Sequence, residues 1–297
     1  MEATKPLMEA GRIAAKAREE ARSFVDVGKP VIEICDFVEE TIKRLGGEPA
    51  FPCNVDIDSV AAHYTSPAGD TTIIPQGSLV KVDIGVHVDG YIADTAVTVC
   101  FEPSRMGLVE AAEAGLDAAI SNVRTGARAS DIGATIERAI RGRGAIPIRN
   151  LTGHMMTRYL VHAGQSIPNI SGTRGQALME GEVYAIEPFA VPQDAAGNVT
   201  DGAPSNIYQF RKKRNVRGDA AKRMLKFIQS SYRTLPFASR WVLCKFPGSG
   251  GSEAFSELLG SKCIYSYPQL VERSHAPVAQ AEHTVIVTGD GCVVTTA

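Results

Sequence analysis

No stretch of this chain is apolar enough to cross a membrane: nowhere do about 18 uncharged hydrophobic residues run together. The first residues, Met1 to Arg22, mix Lys, Glu and Arg with alanines and lack the apolar core of an export signal, so the expected location is cytoplasmic. Cysteine is sparse as well. Six are scattered without a CxxC pair, which excludes a zinc ribbon and a disulfide framework and suits a reducing compartment. Neither sign of charge is in excess. With 31 Lys and Arg against 33 Asp and Glu, the chain has no overall basic footprint of the kind a nucleic-acid binder carries. What remains is an ordinary globular composition, 44% hydrophobic and 22% charged over 297 residues, enough for one large domain or two.

Apolar periodicity predicts helices over Ala3 to about Phe24 and over Val31 to Leu45, the second stopped by Gly46-Gly47. Phe51 to Pro75, rich in Pro, Asp, Ser and Gly, reads as a long irregular segment. Two β-rich runs follow, Ser78 to Val88 and Tyr91 to Val99, and the Asp89-Gly90 between them marks a tight hairpin. Helices are expected over Met106 to Val123 and Ser130 to Arg143, on either side of a turn at Gly126, with Ser130 as the cap of the second. Strand patterns cover Gly181 to Pro188, Ala279 to Val287 and Cys292 to Thr295. Residues 206–265 differ in character. They hold the basic run Arg211 to Arg217, a helix over Asp219 to Tyr232 capped by its Asp, and another over Ser252 to Leu259. Together they read as a helical subdomain inserted into an α+β chain.

The hairpin carries the first chemical signal. If Asp89 and Gly90 form a two-residue turn, Val88 pairs with Tyr91 and Asp94 falls opposite Gly85. Asp83, two residues away, shares that face. The two carboxylates become diagonal neighbours, roughly 5–8 Å apart at the backbone, with Gly85 leaving space between them. Like charges this close force a proton back onto one group unless a cation neutralises both. Two metals about 3.5–4 Å apart can share one carboxylate. Taken alone, the hairpin is equally consistent with one Asp facing solvent from an edge strand. Further along, His154 is followed by His162, Glu187 ends an apolar strand before a proline, and Glu282 sits among apolar strand residues. A lone histidine is usually an ordinary surface or core residue, but buried carboxylates in strands need partners. One oxygen-rich dinuclear site accounts for all four acids and a histidine, and its donors suit Mn, Fe, Co or Zn.

Asp83 and Asp94, then Gly153-His154, Ile186-Glu187-Pro188 and Ala281-Glu282-His283-Thr284, resemble in order the five-ligand set of the methionine aminopeptidases. Ala61 to Pro67, around His63, and Asn150 to Gly164, around His154 and His162, resemble the histidine-bearing segments of that family. The helical insertion before Glu282 resembles the type 2 branch, and the short N-terminal region resembles its archaeal members. The resemblance implies the pita-bread α+β fold, with two pseudo-symmetric halves in a single catalytic domain spanning 1–297. It implies two divalent ions: Asp83 holds one, Asp94 and Glu282 bridge both, and His154 and Glu187 complete the other. A water between the ions would attack the scissile peptide while Glu187 moves its proton. His63 and His162 would hydrogen-bond that peptide as its carbonyl gains charge, and Phe51 would line the methionine pocket. The implied partners are N-termini of nascent polypeptides with a small second residue. The resemblance also implies a monomer with no membrane and no specific nucleic acid, and leaves room for a transient ribosome contact. One departure stands out. Pro192 to Ser205 offers no histidine after Glu187, where eukaryotic type 2 enzymes place one, so Asn206-Ile-Tyr208 is expected in its place.

Two rival readings are weighed against this one. Proline-specific peptidases of the same fold, such as prolidase, usually carry a separate N-terminal domain, for which a first ligand at residue 83 leaves no room. A non-catalytic, nucleic-acid-associated relative would give Arg211 to Arg217 a role, yet all five ligand positions are retained here.

Overall fold

The computed structural model describes residues 4–297. Apolar residues at helical spacing bury one face of α1 (Thr4–Phe24) and of α2 (Val31–Arg44), which share a core with the hairpin strands that follow. Gly46, at φ +93°, takes the left-handed conformation that ends α2.

The segment expected to be irregular contains two strands, β1 (Asn54–Ile57) and β2 (Val60–Ala62). Each is short, and each is held by a partner distant in sequence, so local periodicity does not announce them. The hairpin itself forms as read: β3 (Leu79–Val88) and β4 (Tyr91–Cys100) pair continuously from Val88↔Tyr91 through Gly85↔Asp94 to Leu79↔Cys100. β1 pairs along β3, with Asn54 opposite Asp83.

Two helices, α3 (Met106–Ile120) and α4 (Ala129–Gly142), cover the second half of the molecule. Ser130 does not cap α4. The helix begins one residue earlier, Arg128 holds the cap position, and no side chain bonds there. Beneath these helices lie β5 (Thr152–Met156), β6 (Val183–Ile186) and β7 (Phe189–Pro192). Glu187-Pro188 interrupts what would be one strand, because proline has no N–H for the ladder.

The long strand β8 (Val199–Phe210) leads into α5 (Asp219–Tyr232), α6 (Ser239–Leu243) and α7 (Ser249–Gly260), and β9 (Ile264–Glu272) returns antiparallel to β8. Gly218, not Asp219, is the cap of α5, and Asp219 instead pairs with Lys222 at 2.9 Å. Met224, Leu225 and Ile228 of α5 pack against Phe255 and Leu258 of α7 and against Phe237, in a core separate from the other two. β9 also pairs with β2, which fastens the strand that follows these helices to the segment around His63. The chain closes with β10 (Ala279–Gln280), β11 (His283–Val287) and β12 (Cys292–Val294). β11 pairs with β6, and β6 with β5, so a second sheet faces the first hairpin.

Candidate metal centre

The two sheets are joined by threonine side chains. The Asp94 N–H donates to Thr284 Oγ at 2.7 Å, the Thr284 hydroxyl donates to the Asp94 carbonyl at 2.8 Å, and the Thr95 hydroxyl donates to the Glu282 carbonyl at 2.8 Å. Ala96 and Glu282 form an isolated bridge between the sheets. The seam therefore places two acidic residues side by side, Asp94 on β4 and Glu282 just before β11. Asp94 and Glu282 are 3% and 2% exposed.

A ligand atom from each of Asp94, His154 and Glu282 lies within 4.8 Å of the other two. His154 Nε2 stands 3.7 Å from Asp94 Oδ2 and 3.5 Å from Glu187 Oε1. Asp83, diagonal to Asp94 across Gly85, lines the same cavity, as do His63, His162 and Phe51. That cavity is about 60 Å³, several times the ~10–15 Å³ a single water needs.

The electrostatics explain what such a cluster requires. Burial raises the pKa of Asp94, Glu187 and Glu282 well above the usual carboxylate range, and the charges of neighbouring acids raise each further. Asp83 is pushed up to about 6 by burial, against which Gln280 and Asn54 act as hydrogen-bonding neighbours. His154 is driven down to about 3, first by burial and then by His162, so the ring is neutral. Its Nδ1 lies 2.8 Å from the Val161 carbonyl. In a neutral ring only Nδ1–H can make that bond, which leaves the Nε2 lone pair facing the acids. Among the described residues, Asp83 Oδ1, Asp94 Oδ1 and Glu282 Oε2 are buried without a hydrogen-bond partner. Unpartnered buried oxygens of three acids, a correctly oriented neutral imidazole and mutual repulsion all fit divalent cations.

Gly85 has a different purpose from the one its position suggests. A β-carbon there would sit 2.2 Å from the Phe51 ring. The missing side chain admits the aromatic wall of the cavity and does not leave an empty gap between Asp83 and Asp94.

Residues 5–288 match Metallopeptidase family M24. The chain is 46% identical to the methionine aminopeptidase of Methanothermobacter thermautotrophicus, over 97% of each sequence. It is 43% identical to that of Methanocaldococcus jannaschii, over 100% of this chain and 99% of the relative.

The chain belongs to the methionine aminopeptidases.

The solved methionine aminopeptidase of Thermotoga maritima has a TM-score of 0.70 at 22% identity, covering 98% of this chain and 95% of that one, and shares the α+β pita-bread fold. In this methionine aminopeptidase the segment from β8 to β9 also reaches the cavity. Of Asn206-Ile-Tyr208, only Ile207 lines it, while Tyr208 turns away to pack on Phe237 and Phe255. Pro236 and Tyr267 complete the wall without having been foreseen. Tyr267 stands edge-on to His63 at 5.7 Å. Its position on β9, far from any motif residue, gives no sequence signal. Asn54 and Gln280 are the other residues missed. Both neighbour a ligand candidate, and a polar amide beside buried apolar residues is a signal that could have found them.

Proposed function

We propose that this methionine aminopeptidase removes the initiator methionine from nascent proteins whose second residue is small, with two divalent ions held by Asp83, Asp94, His154, Glu187 and Glu282. The observation that carries this reading is the convergence of those five side chains, from both sheets, on one buried cavity with partnerless carboxylate oxygens. Co, Mn, Fe and Zn all match the donor set. When bound, the ions supply an acidified water and polarise the scissile carbonyl.

The residues divide the remaining work. Glu187 takes up a proton on its carboxylate and returns it to the leaving amine. His63 is pushed down to about 4 by burial and by His162, so its ring is neutral and carries one N–H, with the Pro268 carbonyl as a hydrogen-bonding neighbour. His63 and His162 direct hydrogen bonds at the carbonyl oxygen as it gains charge. Phe51, Ile207 and Pro236 surround the methionine side chain with apolar atoms, and Tyr267 closes the side nearest His63. Residues 206–265 form a helical subdomain within a single catalytic domain spanning 1–297, and their part in the active site is to supply Ile207 and Pro236 to this wall. Nascent substrates place the reaction in the cytoplasm, where a monomer in transient contact with the ribosome would meet them.

A peptide panel tests the reading. Met-Ala peptides should be cleaved fastest, Leu-Ala peptides more slowly by about 10–200-fold, since an apolar pocket separates similar side chains by only ~1–3 kcal/mol. Met-Lys peptides should resist. Faster release from Ala-Pro than from Met-Ala would replace this reading with a proline-specific one.

A further inference from the structure

Glu39 on α2 and Arg240 on α6 form a buried ion pair between residues 201 positions apart, at 4% and 7% exposure. Arg240 does more than neutralise Glu39. Its Nη1 donates to Thr65 Oγ at 2.8 Å and to the Ser66 carbonyl at 2.9 Å. Glu39 in turn accepts from Trp241 Nε1 at 2.7 Å and from the Cys53 N–H at 3.2 Å, and the Thr65 hydroxyl donates to the Cys53 carbonyl at 2.8 Å.

These bonds meet beside three parts of the cavity wall. Thr65 lies two residues after His63, and Cys53 directly precedes Asn54. On the insertion, Ala238 is paired with Ile207, and Pro236 lies four residues before Arg240. His63 itself sits at φ +73°, in the left-handed region that a β-carbon makes costly and that persists only where the surroundings enforce it. A buried ion pair is weak evidence for stability, because well-packed apolar residues often serve as well, and fixing a geometry is its better-attested use.

We propose that Glu39 and Arg240 are a pair of positioning residues that clasp the insertion to the body, holding His63 toward the substrate and setting the width of the methionine pocket. This rests on the role given to His63 above. Neither residue lines the cavity, so each acts through Thr65, Cys53 and the α6 segment. Only the planar fork of arginine reaches the Glu39 carboxylate, a hydroxyl and a carbonyl together. Lysine keeps the charge but not the fork.

The test compares wild type with Arg240→Lys, both metal-loaded for kinetics. The variant should keep its metal content, lose about tenfold in kcat/KM on Met-Ala peptides, and lose part of its preference for Met-Ala over Leu-Ala. Backbone hydrogen exchange should speed up at Tyr64 to Ser66 and at residues 205–209, and stay unchanged in the β3–β4 hairpin. A purely structural role would lower thermal stability and raise exchange throughout while leaving selectivity per active molecule intact. That outcome overturns the proposal. If Arg240→Lys does not fold, Thr65→Val removes two bonds of the clasp, those to Arg240 and to the Cys53 carbonyl, and must show the same local pattern in smaller measure; its absence is equally decisive. A wild type that releases no methionine sinks the function assigned above, while the exchange data still judge the clasp.

Discussion

Replacing Asp94 by Asn is expected to abolish methionine release and to reduce bound metal to one equivalent or none, with the chain still folded. Asp94 is the acid nearest the centre of the cluster, within ligand distance of both His154 and Glu282. Removing an outer partner of a metal ligand costs about 10–100-fold in affinity or activity, and removing a shared ligand should cost more. The fold should survive for an electrostatic reason. Asp94 is crowded by Asp83, Glu187 and Glu282, so a neutral amide of the same shape removes repulsion from the empty site. The metal-free variant should therefore unfold at the same temperature as metal-free wild type or higher, whereas metal addition should stabilise wild type far more than the variant. Calorimetry with metal analysis reads both effects. Near-normal turnover with full metal content would remove Asp94 from the centre.

His162→Ala should lower kcat by about 10²–10³-fold, the usual cost of losing one donor to a developing oxyanion. Metal content should be nearly unchanged. His162 is exposed at the cavity and its ring lies 4.3 Å, centroid to centroid, from that of His154, yet it is not among the side chains that converge on the acids. Because the bond belongs to the transition state, the loss should appear in kcat and kcat/KM together, with KM almost constant. If His162 were an ordinary surface histidine, turnover would be intact. Loss of one metal equivalent would instead make it a ligand.

Much of this site was legible because its signals are local. Turn chemistry at Asp89-Gly90 and the two-residue period of a strand fix the register of Asp83 and Asp94, and the Gly85↔Asp94 pairing follows from counting. Glu282 and Glu187 stand out because acids in apolar strands demand explanation. What escaped depends on contacts across the chain. β1 and β2 exist because β3 and β9 pair with them. Phe51 fills the place of the Gly85 side chain, a contact visible only in three dimensions. Pro236, after α5, and Tyr267, on β9, reach the cavity because both segments fold back over it. Residue preference alone points to Ser130 and Asp219 as caps, yet each falls inside its helix because capping depends on where the chain turns.

If the buried acids hold the ions that the reaction needs, activity should depend strictly on bound metal. Titrating divalent metal into fully stripped protein, while following methionine release from a Met-Ala peptide, tests it most directly. Stripped protein should be inactive, and release should rise with bound metal and saturate by two equivalents per chain. Undiminished release from protein shown to be free of metal would contradict it.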